Sequence, residues 1–186
     1  MRVTIFDNNP GEGGLWQGFL KTSWMVGSWL QKLFGAVDDY YGASSFADAK
    51  AWLESKNTTF SSIQYWGHGS PSTIWLANNP IPTQDWLSLK PLLTEDSLLW
   101  FRVCSAFQGE AGQRFSGVLA DGLNCTIGGH TMIVGLWQGG LHTRKPHSLP
   151  SWPVDEGTHP SKLRDDFKFW NKNTISCLRT TIPQGW

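Results

Sequence analysis

The run Leu98-Leu99-Trp100-Phe101-Arg102-Val103 is the most apolar strand candidate in the chain, and it limits the accessible folds more than any other segment. A strand that is apolar at successive positions is covered on both faces, the condition of a parallel strand inside an α/β sheet. It runs directly into Cys104-Ser105-Ala106. Residues 3–6 form a second short apolar run, stopped by Asp7-Asn8-Asn9-Pro10-Gly11, which reads as a buried strand ended by turn chemistry. Residues 63–66 are β-rich and stop at Gly67-His68-Gly69-Ser70-Pro71. A short strand is expected within 38–42, a small strand outside the main sheet at 73–76, and a strand with small residues, Gly128-Gly129, over 125–134.

Helical periods fall between these strands. Leu15, Phe19, Val26, Leu30 and Leu33 predict a long amphipathic helix over 15–34. Trp16, Trp24 and Trp29 on its other face suggest a helix buried on two sides, or else a partner or membrane surface. A Ser cap at 44–45 precedes Phe46, Ala49 and Leu53 at helical spacing, and Thr83 caps a helix expected to reach Leu93. A further helix begins near Gly109 and carries Phe115, Val118, Leu119 and Leu123 on one face. Strands alternating with helices imply right-handed crossovers and a mainly parallel sheet flanked by helices. Residues 136–173 are rich in Gly, Pro, His and Trp without periodicity, and read as an irregular functional or disordered loop. A strand over 174–178 is expected to tie that region back to the sheet. There is no internal repeat and no linker, so residues 1–186 are expected to form one domain.

Composition narrows the function classes. With 15 basic and 15 acidic residues the formal charge is zero, which argues against nucleic acid or an anionic membrane as partner. No apolar stretch is long enough to span a bilayer, and the N-terminus has no charged region followed by an apolar one. Cys104, Cys125 and Cys177 are an odd, widely spaced set without a CxxC, so a reducing, cytoplasmic setting is expected rather than a disulfide framework. The 12 Trp residues are expected mostly in core or pocket walls. His130, His142, His147 and His159 match no metal-ligand spacing, so they are read as packed or solvated side chains, and neither a metal nor a cofactor is expected. Gly11-Glu12-Gly13-Gly14 lacks the Lys-Ser/Thr of a phosphate-binding loop and is read as a flexible loop.

Sites in open α/β sheets form at the carboxyl ends of strands. Asp7, His68 and Cys104 all stand just past such ends. A Cys closing an apolar strand and a His between glycines supply what nucleophilic catalysis needs: a thiolate to attack a carbonyl and an imidazole to move protons. Each alone has a blander reading, an inert buried thiol and a turn histidine.

The motifs Tyr65-Trp66-Gly67-His68-Gly69-Ser70-Pro71 and Trp100-Phe101-Arg102-Val103-Cys104-Ser105-Ala106 resemble the His-Gly and Cys motifs of caspase-like cysteine peptidases, a group that includes caspases, metacaspases, gingipains, separases and CHAT domains. The closest likeness is to bacterial members with a His-Gly-Ser-Pro turn, over roughly residues 3–134. The resemblance implies a three-layer caspase-like α/β sandwich whose last strand is antiparallel. It implies Cys104 as nucleophile, His68 as general acid/base, and the backbone N–H groups of Gly69 and Cys104 as oxyanion hole. It also implies a pocket lined from two residues before the Cys. Arg102 there would favour an acidic substrate residue. Asp7 would neutralise Arg102 in a structural pair, or point instead to basic specificity. A protein or peptide substrate is expected, with an activating partner or a homodimer, because such enzymes are commonly switched on by cleavage, dimerisation or an ion. A catalytically silent caspase-like scaffold acting in assembly is the alternative reading, and amidase action by the same pair a third.

Overall fold

The computed structural model describes residues 1–9, 14–158 and 173–186. In chain order it begins with β1 (Arg2–Asp7), α1 (Gly14–Leu33), β2 (Asp39–Ala43), α2 (Phe46–Glu54) and β3 (Phe60–Trp66). There follow β4 (His68–Ser70), β5 (Thr73–Leu76), β6 (Asn79–Pro80), α3 (Thr83–Leu87) and β7 (Leu93–Arg102). The remaining described elements are α4 (Gly109–Leu123), β8 (Thr126–His130), β9 (Trp137–Gln138), β10 (Leu141–Arg144) and β11 (Ile175–Ser176). Six strands form a central sheet in the order β10-β8-β7-β3-β1-β2. All neighbours are parallel except β10, which runs antiparallel to β8. Helices lie on both faces, a three-layer α/β architecture with a mostly parallel sheet.

The continuous apolar run of β7 sits at the centre of the sheet, as its composition requires. Leu99, Phe101 and Val103 join Val3, Ile5, Ile63 and Tyr65 in one apolar core that includes Leu53 of α2, Trp86 of α3 and Phe115 and Leu119 of α4. The alternate residues Trp100 and Arg102 face the other layer, where α1 and the C-terminal segment pack. At the start of α2, Ser45 Oγ accepts from Asp48 N–H at 3.1 Å, while the Asp48 carboxylate accepts Ser44 N–H and Tyr41 O–H. That reciprocal cap fixes where the chain turns from strand to helix.

Several expectations change. The apolar stripe of α1 points outward: Phe19 and Leu33 are each 61 % exposed and Val26 42 %. Its inner face carries Gly27, Ser28 and Gln31. A Cβ on Gly27 would meet the Trp66 ring at 2.9 Å, so the glycine lets the helix lie close. Gln31 Oε1 accepts from Thr4 Oγ1 at 3.0 Å. The helix is thus buried on one side, and that side is polar because the sheet face beneath it is polar. The side chains of Leu15 and Trp16 lie outside the described residues, as does the loop 10–13.

The helix expected over 83–93 stops at Leu87, because Pro91 has no N–H to donate and clashes with the preceding turn; Lys90–Leu92 is a single 3₁₀ turn. Strand β7 begins five residues earlier than its apolar run. Ser97 Oγ donates to Phe60 O at 2.6 Å and accepts Thr94 N–H at 2.8 Å, bridging a register shift between the Phe60↔Leu93 and Ser62↔Leu98 pairs. The strand expected over 125–134 ends at His130. The region 136–173 is not wholly irregular, since it supplies β9 and the antiparallel edge strand β10. The expected 174–178 strand is the two-residue β11, which pairs with β9 in a separate two-stranded sheet rather than with the main sheet.

Candidate functional site at the carboxyl ends of β1, β3 and β7

Parallel pairing sets Phe6 opposite Trp66 and Trp66 opposite Arg102. The strand order therefore puts Asp7, His68 and Cys104 at three neighbouring strand ends, with His68 between the other two. His68 and Cys104 each stand two residues beyond the Trp66↔Arg102 pair. The two turns also touch. A Cβ on Gly69 would come within 2.5 Å of Val103 Cγ2 and 2.6 Å of the Cys104 carbonyl oxygen, so only glycine allows this approach.

His68 opens a small antiparallel unit in which it pairs with Trp75. Tyr65 O–H donates to Trp75 O at 2.6 Å, and burial pushes the Tyr65 hydroxyl well above its ordinary range, so it stays a donor. The His68 ring meets Trp24 of α1 edge to face, with centroids 5.4 Å apart. Cys104 is half-buried and points its Sγ at Val134 O, 4.0 Å away. Burial pushes its thiol up, which keeps it protonated at neutral pH. Among the described residues no hydrogen bond joins it to His68.

The turn after Cys104 is rigid. Ser105 has φ 54°, a left-handed conformation that costs a non-glycine residue about 1–3 kcal/mol and persists only where the surroundings impose it. Here Ser105 N–H donates to Met132 O, Phe107 N–H to His130 O, and Ser72 N–H to Ala106 O. Trp152 Nε1–H donates to Phe107 O at 3.0 Å, and Gln108 bonds the Gly157 carbonyl.

Arg102 is 1 % exposed. Its guanidinium lies between the rings of Trp66 and Trp100, 4.6 and 4.3 Å from their centroids. Nε donates to Gln138 Oε1, Nη1 to Gln64 Oε1 and Arg179 O, and Nη2 to Ser176 O, at 2.7–3.2 Å. Every one of these acceptors is neutral. Burial lowers its pKa to about 9. Asp7 lies on the opposite face and is fully buried. Its Oδ1 accepts Asn9 N–H at 2.9 Å and its Oδ2 Ala77 N–H at 3.1 Å. The expected Arg102–Asp7 pair does not form, and the Asp7 carboxylate is not open to a basic substrate residue.

Sequence reasoning missed a second cluster. His142 Nε2 lies 2.6 Å from Glu156 Oε1, which also accepts Thr131 Oγ1–H at 2.8 Å. The His142 ring stacks on Trp152, which stacks on Phe107 in the turn after Cys104. His130 is buried too, with Nδ1 against Gly139 O and Nε2 accepting from Trp100 Nε1–H. Burial lowers its pKa to about 3. His147 is exposed and His159 lies outside the described residues. Among the described residues no group of three or more His, Cys, Asp or Glu side chains is placed to hold a metal ion, and no helix is long and apolar enough to cross a membrane. None of the family models, curated proteins or solved structures compared with this chain matches it.

Proposed function

We propose that the chain is a cysteine peptidase of caspase-like fold in which Cys104 is the nucleophile and His68 the general acid/base. The observation that carries this reading is the abutment of the two turns: in-register strand ends on β3 and β7, with the Gly69 backbone packed on Val103 and Cys104. The sheet order, five parallel strands closed by one antiparallel edge strand, agrees with it. So does the left-handed Ser105, since strained backbone gathers at functional sites.

In the proposed reaction His68 takes the thiol proton and the thiolate attacks the scissile carbonyl. The oxyanion is met by the N–H groups of Gly69 and Cys104. The Cys104 N–H has no backbone acceptor among the described residues, which leaves it available. Imidazolium then protonates the leaving amine, and a water activated by the neutral imidazole hydrolyses the thioester, restoring the thiol and releasing the acid.

Arg102 gives the reading its substrate preference. Among the described residues the guanidinium is held by neutral acceptors, and a carboxylate would bind it more strongly than any of them. A substrate Asp or Glu reaches it by displacing the Ser176 and Arg179 carbonyls. Cys104→Ala should abolish cleavage of a peptide library and leave the melting temperature unchanged, and the library should be cut after Asp or Glu. Activity that survives Cys104→Ala removes the thiol from the mechanism, and cleavage after Arg or Lys removes Arg102 from the pocket.

The silent-scaffold reading is favoured by one observation, the elevated thiol with no hydrogen bond to His68. Iodoacetamide labelling separates the two. Labelling of Cys104 that slows at least about tenfold in His68→Ala supports the enzyme. Labelling indifferent to His68 supports the scaffold.

A further inference from the structure

Asp7 is a buried carboxylate that the proposed reaction does not use. Its position follows from the sheet. β1 and β7 flank β3, so the ends of these strands form a row in which His68 has Cys104 on one side and Asp7 on the other. The Asp7 carboxylate does two things there. Through Oδ2 it holds the N–H of Ala77, the residue that follows β5, at 3.1 Å. β5 is the strand on which His68 is paired, through Trp75. Ala77 and Asn78 both have positive φ, 51° and 62°, so the tight turn to β6 needs an outside acceptor to hold it in place. Through Oδ1 it holds Asn9 N–H at 2.9 Å and so fixes the chain leaving β1. The carboxylate also lies within electrostatic reach of the His68 imidazole.

From this placement we infer that Asp7 is the positioning residue of the site: its carboxylate anchors the hairpin that carries His68 and places a fixed negative charge on the side of His68 opposite Cys104. This rests on the peptidase reading and deepens it. A fixed negative charge within electrostatic reach of the pair supports an imidazolium–thiolate arrangement. Among the described residues the groups facing Asp7 are few. The titratable ones are His68 and Tyr65, the latter held as a neutral phenol; the rest are the backbone N–H groups of Asn9 and Ala77. On the other side of the pair Cys104 faces the Val134 carbonyl, and the Trp24 ring covers His68. Burial raises the Asp7 carboxyl above its ordinary value, while the two N–H donors and His68 oppose that rise.

The test is the rate of Cys104 labelling by iodoacetamide as a function of pH, in the full chain and in Asp7→Asn, Asp7→Ala and His68→Ala. Asp7→Asn removes the charge while keeping the shape. It should slow labelling at pH 7 by about tenfold or more and move the midpoint of the pH profile further upward. Asp7→Ala should do at least as much. A merely structural role for Asp7 changes the melting temperature and leaves that midpoint alone. If His68→Ala slows labelling and Asp7→Asn changes neither rate nor midpoint, the inference is overturned and the pair survives. If His68→Ala changes nothing, the peptidase reading itself falls. Should the Asp7 variants fail to fold, the unmodified protein still decides the matter by NMR. The amide protons of Asn9 and Ala77 and the His68 ring proton should share one titration with a midpoint above the ordinary carboxylate range. A His68 ring that does not respond to that titration overturns the inference.

Discussion

Toward α2, α3 and α4 the central sheet presents Val3, Ile5, Ile63, Leu99, Phe101 and Val103, which interlock with Leu53, Trp86, Phe115 and Leu119 in one apolar core. Toward α1 and the C-terminal segment the sheet presents Thr4, Gln64, Trp66, Trp100, Arg102 and His130, and what covers them includes Gln31, Gln138 and the carbonyls of Ser176 and Arg179. Both faces are buried. One is held by area removed from water, the other by hydrogen bonds whose net worth is small but whose loss leaves a dry group without a partner. The first face supplies stability and tolerates no void. The second supplies position, since Thr4, Gln64, Trp100 and Arg102 are each aimed at specific partners, although the Trp66 indole N–H is buried without one. It is also the face on which the Arg102 cation is buried among neutral acceptors, as far as the described residues go.

The comparison breaks most visibly on the apolar side. Phe101→Ala removes a ring that packs edge-on against Trp86 at 4.8 Å and lies 6.0 Å from Phe115. It should cost about 3–5 kcal/mol in urea unfolding, a large share of the marginal stability of a folded domain. A cost below about 1 kcal/mol would mean that this face is loosely packed.

The polar side should show itself in pH. His130 titrates near 3 in the folded chain and near its ordinary value of 6.5 unfolded. Between those values the unfolded chain binds the extra proton, so folding stability falls as pH drops. The slope contributed by this group approaches about 1.4 kcal/mol per pH unit and is absent above the unfolded value. His130→Asn should flatten the acid limb of a stability curve measured from pH 6.5 to 4.5. An unchanged limb would show that His130 is not held neutral.

Arg102→Met tests what the enclosed cation is for. The substitution leaves the carbonyls of Gln64, Gln138, Ser176 and Arg179 short of a donor, but it also removes a charge that burial destabilises. The two effects oppose one another, and the net loss should be about 1–2 kcal/mol, well under that of Phe101→Ala. A variant as stable as the parent would show that folding on this face does not depend on the enclosed cation.

How far the sequence could be read follows the same division. The alternation of β-rich and helical segments, the continuous run in β7 and the Ser45 cap are local signals, and they led to the parallel sheet and to His68 and Cys104 at adjacent strand ends. The polar face was not legible. Gln64 and Arg102 meet partners 36 to 77 residues away, and Asp7 meets Ala77 across 70 residues, so no spacing announces them. Ser105 adopts its left-handed conformation without a glycine to signal it. β10, Leu-His-Thr-Arg, has no period long enough to mark a strand and forms because β8 offers an open edge.

α1 is where local pattern and tertiary context disagree most. An apolar stripe at helical spacing normally marks the buried side of a helix. In this chain the sheet face it must cover is polar, and the matching side of the helix is Gly27, Ser28 and Gln31, while Val26, Trp29 and Leu33 face solvent. The two readings differ in a measurable way. If Val26 belonged to the core, Val26→Lys would bury an unpaired charge and cost several kcal/mol. On the outer face the lysine is solvated and its helix propensity is no worse than that of valine. The expected change is within about 0.5 kcal/mol, the smallest of the four. A large loss in the monomer would return the helix to the orientation its periodicity suggests. It would also detach Trp24 from His68, because a helix turned to bury Val26 no longer presents the Trp24 ring to the imidazole.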